Sequence, residues 1–310
     1  MWGFTPKQAA PVQHDWYYNA DPLERREYDA FGPWISTIRT NEEMPPRFRH
    51  AYEELRSSIF LFKIPINAER RAMRPGMDLY RSVLAIDHDR VVVLEWNGST
   101  ETRYESPVAS IQAVRIDQDL LPANFSLLLA DGQTVSLGYN SVSDKEIERV
   151  VNFLRERMTT GAGSAYQLST KASRWSKSDI REHFFLGLWE KHVRRFPSTR
   201  ILYWEPPGIN CGRLKSSLGC LLLDVGSELV IIHRGRFIRR WLEAVYSGAE
   251  LYVPWAAVQA AELVRSPSGR KTYIPTVRLT VPGHAIDVEL FAPTSEHQQL
   301  LAELTARTAR

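Results

Sequence analysis

Cysteine is nearly absent from this chain. Only Cys211 and Cys220 occur, nine positions apart, with no Cys-x-x-Cys pair and no neighbouring pair of histidines. That usage argues against a disulfide framework and against a thiolate zinc site, and it fits a reducing cytoplasm. His183 and His192 are also nine apart and fall on different faces of a helix, so no metal centre is expected. Long apolar runs are missing as well. Stretches such as Leu218 to Leu223 and Leu127 to Ala130 stop at strand length, far short of the roughly 20 residues that cross a bilayer. The opening Met1-Trp2-Gly3-Phe4-Thr5-Pro6-Lys7 has no basic region followed by a greasy one, so no secretory leader is expected. Charge of one sign is scarce. With 39 basic and 36 acidic residues and a net charge of +3, the chain lacks the general field of a dedicated nucleic-acid binder.

Enzyme signatures are missing too. No Gly-x-Ser-x-Gly elbow, Walker loop, dinucleotide-binding glycine fingerprint or His-Glu-x-x-His motif occurs, so no cofactor and no catalytic activity are expected. Asp87-x-Asp89 and Asp117-x-Asp119 look like paired carboxylates, but they stand at strand ends, where aspartate serves turns. His88 and His233 lack a positioned partner and are not nominated as general bases.

What the chain does have is β-rich pattern written twice. Residues 1 to 40 form an aromatic arm (Trp2, Phe4, Trp16, Tyr17, Tyr18, Tyr28, Phe31, Trp34) broken by prolines. So much apolar surface is expected to dock on its own domain or on a partner subunit. Short helices are expected within Asp29 to Arg39 and from Arg47 to Leu55. From Ser57 the period becomes two, predicting strands at 57–65, 80–87, 90–96, 101–105, 111–117, 125–130 and 133–139. Asn97-Gly98 and Asp131-Gly132 tolerate the positive φ of tight hairpins. Ser143-Asp144-Lys145-Glu146 reads as a capping box that launches a helix with Ile147, Val150, Val151 and Leu154 on one face.

A Gly/Ser/Thr/Ala-rich stretch follows, and the pattern begins again. A helix carrying Ile180, Phe184, Phe185, Leu188, Trp189 and Val193 leads to strands at 199–205, 217–224, 228–233, 250–253, 258–265, 274–281 and 285–291, and then to a last helix with Leu300, Leu301 and Leu304 inward. Pro107-Val108-Ala109-Ser110-Ile111-Gln112-Ala113 returns as Pro254-Trp255-Ala256-Ala257-Val258-Gln259-Ala260, an offset of 147. Gly132 matches Gly283 at an offset of 151, and Leu84-Ala85-Ile86-Asp87 matches Leu221-Leu222-Leu223-Asp224 at 137. The second copy therefore carries about ten extra residues, Gly235 to Ser247.

A seven-stranded antiparallel unit with an I/V-Q-A strand after a proline-led corner and a closing amphipathic helix resembles the pleckstrin-homology-like fold, particularly its bacterial members. The residues that carry the resemblance are Ser106 to Val114 and Val253 to Ala260, with the helices that follow. The resemblance implies a mainly β chain with capping helices (α+β): two PH-like bent sandwiches or open barrels, each closed by a C-terminal helix around its own apolar interior. The expected organisation is an N-terminal arm with helices (1–56), a first unit (57–158), a linker (159–178), and a helix plus second unit (179–310). Such folds are mostly binding platforms, which implies a non-catalytic scaffold recognising a protein partner.

Two clusters are the candidate binding residues. Lys63 and then Arg70, Arg71 and Arg74 follow the first strand, where inositide-binding relatives hold the headgroup. Here the arginines are adjacent and have an acidic neighbour, Glu69, so a solvated loop touching the arm near Trp16 is the competing reading. In the insertion, Arg234, Arg236, Phe237, Arg239, Arg240 and Trp241 interleave arginine with aromatics. Near-helical spacing there suggests an amphipathic turn whose basic face meets an anionic lipid or phosphate. The alternative to a protein partner is therefore peripheral attachment at the inner face of a membrane.

Overall fold

The structure, a computed structural model, describes residues 15–160, 173–210, 215–240, 245–267, 273–291 and 294–308. The arm contributes α1 (Asp15–Tyr18), α2 (Pro22–Ala30) and β1 (Ser36–Thr37), and a 3₁₀ turn at Pro46–Ala51 runs into α3 (Tyr52–Leu55). Four strands follow, β2 (Phe60–Pro65), β3 (Tyr80–Ile86), β4 (Arg90–Trp96) and β5 (Glu101–Pro107), then three more, β6 (Ile111–Asp119), β7 (Pro122–Leu129) and β8 (Thr134–Asn140), and then α4 (Asp144–Thr160).

The second half repeats that order. α5 (His183–Arg195) precedes β9 (Arg200–Glu205), a short β10 (Lys215–Ser217), β11 (Cys220–Asp224), β12 (Glu228–His233), a short β13 (Ile238–Arg240) and β14 (Ser247–Pro254). β15 (Ala260–Pro267), β16 (Tyr273–Val281), β17 (His284–Glu289) and α6 (Thr294–Thr308) complete it. The chain is thus mainly β, with antiparallel sheets and capping helices, as the period-two pattern predicts.

The written repeat is a corner. β5 and β14 both end on proline, at φ −60° and −57°, and one 3₁₀ turn (Val108–Ser110, Trp255–Ala257) then swings the chain into a different sheet. Proline suits the place because its ring presets φ and its missing N–H costs the ladder nothing at a strand end. The hairpin glycines also behave as read: Gly98, Gly132 and Gly283 sit at φ +95°, +87° and +75°. Asp87 serves its turn, with Oδ1 accepting from the N–H of Asp89 and of Arg90 at 2.8 Å each.

Sheet order overturns one expectation. The halves do not each close an interior with their own strands alone. β14 pairs with β6, and a seven-stranded sheet runs β8-β7-β6-β14-β12-β11-β9 straight across the boundary. Because side chains alternate, each face of that sheet serves a different core. Val114, Leu221, Leu223, Val230, Ile232 and Tyr252 join the interior of the first half beneath α4 and α5. Ala113, Leu222, Leu229, Ile231, Leu251 and Val253 line the second, beneath α6. β11 and β12 are buried along their whole length, which is why Leu221 to Leu223 and Leu229 to Ile232 are unbroken apolar runs.

Two local readings are also corrected. The helix expected within Asp29 to Arg39 lies earlier, at Pro22–Ala30, with the Asp21 carboxylate accepting from Leu23 N–H at 2.8 Å and proline in its first turn. Beyond Pro33 the chain is extended, and Ser36 pairs with Lys63. Ser143 does not cap α4. Its hydroxyl is buried and accepts from the Ile35 N–H at 2.8 Å, tying the arm to the start of the helix.

Candidate interaction surfaces

The first basic cluster is covered by the arm. The Arg70 guanidinium lies 5.0 Å from the Tyr28 ring centroid and 3.7 Å from Asp29, and Arg74 lies 5.7 Å from the Trp16 ring. Trp16 packs edge-on against Tyr28 at 5.6 Å. Arg71 pairs with its neighbour Glu69. Beneath them Phe31, Leu79 and Tyr80 form a small buried cluster, and Lys63 sits 4.3 Å from the Tyr80 ring with its pKa lowered by burial. The arm therefore occupies the connection between β2 and β3, and Arg70, Arg74 and Trp16 are brought together by it.

The second cluster adopts a different conformation from the one its spacing suggests. Ile238–Arg240 is not a helical turn; it is β13, paired antiparallel with β10 in a two-stranded ribbon. The insertion finds a ladder partner in β10, Lys215–Ser217, and backbone hydrogen bonding outweighs a three-residue amphipathic pattern. Register sets Lys215 opposite Arg240 and Ser216 opposite Arg239. Arg234 turns back to the body, donating to Glu182 at 2.7 Å and lying 4.0 Å from the Phe184 ring centroid. Phe237 stacks on His233 at 4.3 Å, and burial holds the His233 pKa down at about 4. Arg236 and Arg240 are exposed, and Trp241 lies outside the described residues.

A buried polar cluster at the junction of the halves escaped the sequence reading. Glu250 on β14 meets His192 Nε2 at 3.2 Å, the Tyr252 hydroxyl at 2.7 Å and Lys191 Nζ at 3.3 Å. Burial pushes its carboxyl up, but the His192 hydrogen bond and the charges of Lys191 and His192 outweigh this and hold it at about 2. Beside it Arg155 of α4 forms a buried ion pair with Glu228 of β12, donating from Nε at 2.8 Å, and lies 4.2 Å from the Tyr252 ring. The one trace in sequence was Arg155 following Val151 at helical spacing on an inward face. In this arrangement the charges neutralise one another. Cys220 is buried, its thiol pushed up by desolvation, and Cys211 lies outside the described residues. Among the described residues no group of three or more His, Cys, Asp or Glu is placed to hold a metal ion.

Among the described residues the three most exposed large aliphatic side chains stand in two segments joined by hydrogen bonds. At the turn joining β6 and β7, Leu120 and Leu121 are 60% and 56% exposed, and Val142, just before α4, is 56% exposed. Ser141 binds them into one surface, its N–H donating to Leu121 O and its hydroxyl to Leu120 O, both at 2.8 Å. Leu120 is the one non-glycine residue at positive φ among those described, at +56°. Left-handed backbone costs a branched side chain roughly 1–2 kcal/mol, so the chain holds an exposed leucine in place against its own preference. No helix among the described residues is long and apolar enough to cross a membrane. Comparison with known proteins adds no relative: no protein-family model matches the chain, and no curated protein does.

Proposed function

We propose that the chain is a non-catalytic scaffold built from two PH-like units and that it recognises a protein partner. Its PH-like character is supported by the order of elements: four longer strands, a proline corner, three strands and a helix occur in both halves, the second adding the short β10 and β13. Partner recognition is carried by the ridge of Leu120, Leu121 and Val142: apolar side chains more than half exposed, their segments joined through the hydrogen bonds of Ser141, with Leu120 held at positive φ. The decisive comparison is capture of partners from lysate by the intact chain and by Leu121→Asp combined with Val142→Asp. Loss of one specific protein from the variant, with its thermal unfolding unchanged, is the expected result. Equal capture by both would remove the ridge as the recognition surface.

A second reading has its own observation. The β10–β13 ribbon gathers the basic positions Lys215, Arg239 and Arg240 on two paired strands of three residues each. On this reading an anionic headgroup or phosphate binds that ribbon. This reading predicts sedimentation with phosphatidylserine vesicles that weakens with salt and is lost in Arg239→Glu with Arg240→Glu. Vesicle binding unaffected by these reversals would dispose of it.

A further inference from the structure

The joint between the halves has an unused counterpart at each end of the molecule. Inside the chain, β6, the strand just after the proline corner of the first unit, receives β14, the strand just before the proline corner of the second. The equivalent strands are β15, just after the second corner, and β5, just before the first, and among the described residues each is the terminal strand of its sheet. One molecule thus presents both partners of the same joint, on two different sheets. We infer that the chain assembles head to tail, β15 of one copy pairing antiparallel with β5 of the next in the register that β6 and β14 use internally.

The register follows from the repeat. Aligning Pro107 with Pro254, and Gln112 with Gln259, transposes the observed pairs Tyr252↔Val114 and Gly248↔Gln118 into Glu105 opposite Ala261 and Glu101 opposite Arg265. Glu101 and Arg265 are opposite charges placed directly across the ladder, a pairing that favours this register. Tyr104 takes the place of Leu251. The leucine is 4% exposed within the internal joint, whereas Tyr104 is 38% exposed on a bare edge. Likewise Val114 is buried, and its counterpart Ala261 is only half-buried. α4 packs across β14, and α6, its counterpart, lies against β15, placed to cover an incoming β5 in the same way.

The intermolecular joint is the more polar of the two. Where Tyr252 is buried internally, Glu105 stands in the exposed strand, already paired with Arg90 and Arg103. Glu101 faces His50 at 3.3 Å and would exchange that exposed contact for Arg265. A reversible, salt-sensitive assembly follows, unlike the permanent joint inside the chain. Its contact uses different surfaces on the two partners, so it adds copies into rings or filaments and does not stop at a symmetric dimer.

Sedimentation velocity of the full chain over about a hundredfold range of concentration tests this by mass action. The expected result is a mean mass that climbs past the dimer, with Glu101→Arg and Arg265→Glu each reducing association about tenfold. A mixture of the two variants restores assembly, because each mismatched strand then finds its reversed counterpart. This crossed rescue also shows that both variants are folded. A wild-type chain that stays monomeric throughout would overturn the inference. So would assembly that stops at a dimer, assembly indifferent to both reversals, or a mixture that fails to recover. Leu121 and Val142 lie in neither strand, so failure here leaves the proposed partner surface untouched, and the converse holds as well.

Discussion

The first half of the molecule and the second are built to one order, yet they solve the same burial problem with different neighbours. In the first, the outer face of the β2–β5 sheet is covered locally. Ile38, Met44, Phe48, Ala51 and Leu55 pack on Leu61, Val83, Ala85, Val92 and Leu94. In the second, the corresponding face of β9–β14 is covered by α5 and by the interior of the first half. One repeat therefore completes itself with the residues that precede it, and the other with its twin. A copied unit keeps its internal pattern, but each exposed apolar face must find a cover, and the nearest one differs between the copies.

The ion pairs show the same contrast and offer the largest effect with which to break it. Arg155 reaches from α4 in the first half to Glu228 in the second, whereas Arg307 reaches from α6 to Asp224 within its own half. Asp224 keeps other donors, Trp255 Nε1 at 3.1 Å and Gly226 N–H at 3.0 Å, while the second oxygen of Glu228 has no partner. Arg155→Ala should thus destabilise by about 3–5 kcal/mol and Arg307→Ala by clearly less, because only the former strands a buried carboxylate. Urea denaturation of both variants checks the order. Equal losses would mean that the cross-boundary pair has no special role.

Next in size is a pH effect that belongs to the second half alone. His233 is buried and neutral, with its pKa depressed to about 4 against an ordinary 6.5. The unfolded state binds the extra proton between those values, so this contribution to stability is complete above about pH 6.5 and is lost as pH falls toward 4. The full swing is about 3 kcal/mol by the pKa difference, on the order-of-magnitude scale of such shifts. His233→Gln should flatten the stability profile in that window, measured by denaturant midpoints at several pH values. An unchanged slope would assign the acid sensitivity elsewhere.

A smaller test sits where the two copies touch. The equivalent glycines meet at the hairpin tips: a Cβ on Gly283 would fall 2.4 Å from Gly132 N, while one on Gly132 would fall 3.2 Å from Gly283 O. Both residues have positive φ, so alanine strains either site by about 1–2 kcal/mol. Gly283→Ala should cost more than Gly132→Ala, since only it also forces backbone apart. Thermal unfolding of the pair decides. The smallest effect is expected at Leu120, where Leu120→Asn keeps the left-handed backbone at lower strain and should shift stability by less than about 1 kcal/mol in the favourable direction.

Much of the fold was legible because it was local. β4 and β12 were read at the residues where they stand, since alternation and turn chemistry act within a few positions. The misreadings share a cause as well. Ser143 has the form of a capping residue, but its hydroxyl is taken by Ile35, 108 positions away. Ile238–Arg240 has the spacing of a helical turn, but Lys215–Ser217 offers it a ladder. Of the candidate binding residues, Arg70, Arg74 and Trp16 do meet, because the arm was recognisably too aromatic to stay in water. The Leu120–Leu121 ridge is not legible in the sequence, because an exposed leucine and a buried one look alike there.

The order of strands, corners and helices, and the fact that it is written twice, was determined by the sequence alone, because hydrophobic period, proline and glycine constrain the backbone where they stand. Which strand lies beside which across the boundary was decided only in three dimensions. Ladder hydrogen bonds are the same for any residue pair, so nothing in β6 names β14 as its neighbour until packing on both faces of the shared sheet makes that register the one that buries Val114, Leu251 and Tyr252 together.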